Sequence, residues 1–217
     1  MNDFLKATPV VDRDHPDIRR RAAQLSAGNI DPLSVAKACF EWVRDEIRHS
    51  RDIGFAAVPC SASETLQAGA GYCYAKSHLL AALLRANNIP AGFCYQRLSR
   101  DGMGAPYALH ALNAVRLPGL GWYRIDARGD RACIRSHFTP PFEKLAYTVN
   151  LPGESNLPEV WPEPLPTVIA ALRAAENSAD LYENLPDIPV WTESAGFEAV
   201  APPEPGRLPW DGNDPGE

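Results

Sequence analysis

The sequence has no surplus of positive charge: 21 Lys and Arg stand against 27 Asp and Glu, for a net charge of −6. A general nucleic-acid binder shows a basic face, so nucleic acid is not an expected partner. No apolar run reaches the roughly 18 residues that cross a bilayer, so no membrane partner is expected either. The opening stretch, MNDFLKATPVVDRDHPDIRRR, has neither the apolar core nor the small-residue cleavage site of a secretory signal, and the expected location is cytoplasmic. The five cysteines (39, 60, 73, 94 and 133) include no Cys-x-x-Cys pair and cannot all pair within one chain. A disulfide framework is therefore not expected. There is no internal repeat, no block of like charge and no acidic loop of calcium-ligand type.

What is present fits one ordinary soluble domain: 217 residues, 45% hydrophobic and 22% charged. The first zone, to about residue 90, reads as helical. Asp14 is placed to cap a helix from Pro16 that stops before Gly28. Asp31-Pro32 offers a second N-cap with proline at the first helical position, ahead of Val35, Ala36, Cys39, Phe40, Val43 and Ile47 at helical spacing. Ser61-Ala62-Ser63-Glu64 has capping-box form, and Gly69 and Gly71 end the short helix it opens. The segment GYCYAKSHLLAALLRANNIPA follows. Its Ala- and Leu-rich run from Cys73 to Arg85 predicts a largely buried helix, with Asn87-Asn88 as a left-handed cap and Pro90 forbidding continuation.

The second zone, residues 91–150, alternates in polarity through AGFCYQRL, ALHALNAVRL and GWYRIDAR. Pro118 to Gly121 is a hairpin turn, and one or two more strands are expected between Ala132 and Val149. Helices first and an antiparallel sheet afterwards indicate an α+β layout. Residues 151–217 form a proline-rich extension with helices at Pro166–Ala175 and around Ala179–Leu185. Beyond Pro186 the chain, with isolated Trp191 and Trp210, is expected to wrap the surface or lack order.

Cys73 sits just after Gly71 at a helix start. There the helix dipole and unpaired N–H groups favour a thiolate by roughly 0.3–1 kcal/mol, and more when partly buried. An adjacent backbone N–H is placed to meet the oxyanion of acyl transfer. His110 lies in a strand and points away from Leu109 and Ala111; Asp126 ends the next strand. Pairing across the Pro118–Gly121 turn brings the two together, where an aspartate orients and stabilises an imidazole.

The blocks GYCYAKSHLLAALLRANNIPA, LHALNAV and GWYRIDAR resemble, in order and spacing, the three motifs of the transglutaminase-like superfamily. The resemblance covers roughly residues 33–130 and includes the upstream FEWVRDEIRHS segment. It implies a papain-like α+β fold with the nucleophile helix packed on an antiparallel sheet. Matched position by position, Cys73 is the nucleophile, His110 the base and Asp126 the orienting residue, and no cofactor is implied. The chain departs from the family pattern at Leu112-Asn113 after His-Ala, at Asn88 in place of glycine, and at Ala127-Arg128 after the aspartate. The implied activity is acyl transfer or hydrolysis at an amide or peptide bond through a thioester, with a protein or peptide substrate. Gln67, six positions before Cys73, has the spacing of an oxyanion-hole glutamine in papain-like proteases, and Trp122 and Tyr123 are candidate groove residues. The rival readings are a non-catalytic binding module of the same fold and a zinc site made from Cys60, Cys73, Cys133 and His137.

Overall fold

The computed structural model describes residues 2–29, 31–131 and 134–188, together with the backbone of residues 206–207. A short 3₁₀ turn, Asn2–Leu5, precedes helices α1 (Pro16–Ser26) and α2 (Pro32–Glu46). The two-residue strand β1 (Arg48–His49) leads into helix α3 (Ser50–Ile53). Helix α4 (Ala62–Ala68), strand β2 (Ala70–Gly71) and helix α5 (Cys73–Ala86) follow. The long strands are β3 (Ala91–Ser99), β4 (Tyr107–Leu117) and β5 (Gly121–Ile125). Shorter strands come next: β6 (His137–Thr139), β7 (Phe142–Lys144), β8 (Ser155–Asn156) and β9 (Glu159–Val160). Helices α6 (Pro166–Ala174) and α7 (Ser178–Glu183) complete the main body.

Local chemistry places most of these boundaries. Asp31 accepts from the Ser34 N–H with Pro32 at the first turn of α2, and Ser61 and Glu64 form a reciprocal capping box on α4. The cap of α1 differs from expectation: His15, not Asp14, accepts from the Asp17 N–H. At the end of α5 it is Asn88 that takes the left-handed conformation, with φ 58°.

The sheet has the order β5-β4-β3-β8, antiparallel throughout. Alternation along β4 divides its side chains between two layers. Leu109, Ala111 and Val115 join the core beneath α5, where Leu79, Leu80, Leu83 and Leu84 are buried. Leu112 and Ala114 face the other way and pack with Phe4, Cys94, Trp122 and Val160. With both faces of the sheet covered, α5 lies deep, and every residue from Cys73 to Arg85 is buried. Asn113 ties the layers together by donating to the carbonyls of Ser77 on α5 and Gly92 on β3.

Residue 150 marks no physical break. β8 is the fourth strand of the sheet, the Trp161 N–H donates to the Phe93 carbonyl, and Val168 and Leu172 of α6 belong to the main core. Residues 151–188 thus pack as part of the same body as residues 2–150. Trp191, Trp210 and most of the chain after residue 188 lie outside the described residues. No described helix is long and apolar enough to cross a membrane.

Candidate active site

Cys73 is the first residue of α5, only 7% exposed, and the preceding Tyr72 supplies no side-chain cap. The N–H groups of the first turn therefore keep the open donors that favour negative charge at the sulfur. What fixes the approach to this helix is the parallel pairing of β1 with β2, which sets His49 opposite Gly71. A Cβ on Gly71 would stand 3.0 Å from the Ala75 Cβ and 3.2 Å from the Thr65 Cγ2, so glycine is needed there for close approach. Gly69 serves differently, closing α4 with φ 63°. The Tyr74 hydroxyl then donates to the Leu109 carbonyl at 2.5 Å, tethering the start of α5 to the strand beside His110.

His110 and Asp126 meet as the hairpin register predicts. The β4–β5 ladder runs from Leu117 opposite Gly121 to Asn113 opposite Ile125, and the chain continues directly into Asp126. His110 Nε2 lies 2.8 Å from Asp126 Oδ2, with the two residues 6% and 1% exposed. Cys73 lines the same cavity as His110, close enough for its charge to act on the imidazole. Burial disfavours charge on the imidazole, but Asp126 and Cys73 outweigh it and hold His110 well above its ordinary value. Burial likewise opposes charge on Asp126. His110, together with the N–H groups of Arg128 and Ala146, reverses this and keeps the carboxyl below the usual range.

Cys73 and His110 line one cavity of about 520 Å³, shared with His49, Tyr72, Arg128 and Tyr147. The Tyr147 ring stands edge-on to the imidazole, with centroids 4.9 Å apart. Arg128 donates from its backbone to Asp126 Oδ1, from Nε to the Tyr147 hydroxyl, and from both terminal nitrogens to Asp52. The residue at a point of departure from the family pattern thus links Asp126, the tyrosine beside the imidazole and α3. Lys76, one turn after Cys73, is buried and donates to the carbonyls of Arg44 and Ile47. Burial lowers it from 10.5 to about 7.

Three sequence-derived site residues are placed elsewhere. Gln67 is exposed and lines a hollow with Asp17, Arg20 and Arg21, apart from Cys73. The capped, short α4 turns that side chain toward α1, so spacing alone misassigned it. Trp122 packs on Phe4 at 4.7 Å in the layer opposite α5. Tyr123 is a core residue whose hydroxyl donates to the Phe142 carbonyl and accepts from the Thr139 N–H. Neither of them lines the cavity.

Two further histidines are buried. His49 is 8% exposed and borders the cavity; His78 is 1% exposed and its Nδ1 is 2.7 Å from the Cys60 carbonyl. Burial lowers His78 to about 4. Of the four residues in the zinc alternative, Cys133 lies outside the described residues and His137 is exposed on β6. Among the described residues no group of three or more His, Cys, Asp or Glu is placed to hold a metal ion.

A family model described as the transglutaminase-like superfamily matches residues 19–127, a span that contains Cys73, His110 and Asp126. The chain belongs to the transglutaminase-like superfamily. Its mixture of helices and antiparallel sheet is the fold of that superfamily, a family of cysteine enzymes. Among solved structures, a protein of Cytophaga hutchinsonii described as a candidate cysteine protease is 24% identical, with a TM-score of 0.48. The match covers 58% of this chain and 40% of that one. The periplasmic domain of TgpA from Pseudomonas aeruginosa is 21% identical with a TM-score of 0.41, covering 57% of this chain and 45% of the domain. The chain spans less than half the length of either. No curated protein matches significantly.

Proposed function

We propose that this protein is a cysteine hydrolase or acyltransferase that opens an amide or peptide bond through a thioester on Cys73. The observation that carries the reading is the imidazole of His110, which pairs with the Asp126 carboxylate at 2.8 Å and lines one cavity with Cys73. His110 takes the thiol proton and its cation is stabilised by Asp126. The thiolate attacks the carbonyl carbon, forming a C–S bond and an oxyanion, and N–H groups of the first turn of α5 are the nearest candidates to receive that charge. The imidazolium protonates the departing amine as the C–N bond breaks. Water, deprotonated by His110, then attacks the thioester, releasing acid and restoring the thiol. An amine in place of water gives transamidation, and hydrolysis is the proposed direction.

Mass-spectrometric trapping from a library of peptide amides tests this. The expected result is an acyl mass on the Cys73 peptide, absent in Cys73→Ser and strongly reduced in His110→Ala. A library that leaves Cys73 unmodified, with no amide consumed, would favour the non-catalytic module.

A further inference from the structure

The cavity beside Cys73 has a wall of cationic and polar side chains, several of whose atoms lack a partner. Arg51, Arg100, Tyr72 and His49 all line it. Arg51 lies over the Tyr182 ring at 3.6 Å, and Arg100 lies over the same ring at 4.6 Å. An aromatic face holds a guanidinium in place without cancelling its charge. Arg51 is exposed and has no carboxylate partner among the described residues. Arg100 donates to the Tyr182 carbonyl at 2.6 Å and to the Glu183 carbonyl at 3.5 Å, and its one carboxylate neighbour among the described residues, the 73% exposed Glu183, is 3.8 Å away. Three buried polar atoms on this wall have no partner: Arg100 Nε, Tyr72 Oη and His49 Nδ1. They are three of the seven such atoms among the described residues, a concentration that marks the wall as unsatisfied.

The acidic side of the cavity is already engaged. Among the described residues Glu154 is the one carboxylate lining it, and its oxygens accept from the N–H groups of Ser99, Asn150 and Leu151. Asp52, behind the wall, is held by Arg128 and Arg131. The charges of Arg51 and Arg100 also reach the hydroxyl of Tyr72, the neighbour of Cys73: burial pushes that hydroxyl up to about 12, and both guanidiniums pull the other way. The lining carboxylate is thus engaged while the Arg51 guanidinium keeps no carboxylate partner among the described residues, in a chain whose net charge is −6.

We infer that the site takes an acyl substrate bearing a carboxylate close to the reacting carbonyl, held by Arg51 and Arg100. This rests on Cys73 being the nucleophile. The matching probes are iodoacetate and iodoacetamide, which are nearly isosteric and differ by one negative charge. In both cases the thiolate displaces iodide, forming one C–S bond as the C–I bond breaks. The ratio of the iodoacetate to the iodoacetamide rate at Cys73 is expected to fall about fivefold in Arg51→Gln and further in Arg51→Gln/Arg100→Gln, as for one unit-charge contact near 4 Å in water. Arg20→Gln, which removes the same charge on α1, leaves the ratio unchanged. Because Arg51 is exposed, its single variant keeps the test valid even if loss of Arg100 unfolds the chain. An unchanged ratio in Arg51→Gln, with Cys73 still reactive to iodoacetamide, overturns the substrate class alone. Cys73 reacting with iodoacetamide no faster than in the unfolded chain overturns the nucleophile and the substrate class together.

Discussion

Lys76 sits one turn beyond Cys73, and burial opposes its charge. Unfolded, the amine titrates near 10.5; folded, burial brings it to about 7. Between those values the unfolded chain holds a proton that the folded chain has released, so this residue makes stability rise with pH across that window. Below about 7 both states are charged and the full cost of burial is felt. Lys76→Met is therefore expected to flatten the rise, measured as urea midpoints at intervals from neutral pH upward. A slope identical to the parent's would show that Lys76 does not titrate in this way. At this scale the placement of Cys73, His110 and Asp126 was legible, because each stands at a position that strand alternation or a helix start makes readable. It did not disclose His49, Tyr147 or Arg128. His49 arrives through a two-residue parallel bridge and Tyr147 through irregular chain, and neither leaves a periodic trace. Arg128 was visible only as a departure from the family pattern, and its three partners come from Asp52, Asp126 and Tyr147, far apart in the chain.

At the scale of elements, the site depends on where α5 begins. Two glycines before it do different things, and substitution separates them. Gly71→Ala forces a Cβ to 3.0 Å from Ala75, inside α5 itself. The expected cost is about 1–3 kcal/mol in stability, with slower modification of Cys73 as the helix start shifts. Gly69→Ala strains a positive φ but meets open space. It is expected to cost about 1 kcal/mol and leave Cys73 close to parental reactivity. Denaturant midpoints and alkylation rates on the two variants check both statements, and equal Cys73 rates would remove Gly71 from the positioning of the helix. The helices and long strands were legible because caps and periodicity mark them locally. The covering of the second sheet face was not. Trp122 turns toward Phe4 and Val160 because residues before α1 and after 150 close that face, an association no local pattern announces.

Across the whole molecule, the transglutaminase-like core is completed by chain on either side of it. The final turn of the described body crosses beside the site: the Leu109 N–H donates to the Pro186 carbonyl, and Arg97 pairs with Asp187 through two contacts of 2.6 and 2.7 Å. This segment presents Tyr182 to Arg51 and Arg100, so the extension after residue 150 helps to build the cavity wall. The central claim remains the sulfur of Cys73 working with the imidazole of His110. The most direct measurement is the rate of iodoacetamide modification at Cys73 across pH, in the folded protein, the urea-unfolded chain and His110→Ala. Folded Cys73 is predicted to react well ahead of the unfolded chain in mildly acidic solution, where ordinary thiols with pKa near about 8.5 are protonated. Because His110 is raised above 6.5, that advantage should persist through the ordinary histidine range and fade only at higher pH. His110→Ala should abolish it. Equal rates in the folded and unfolded chains, or a profile unmoved by His110→Ala, would contradict the account.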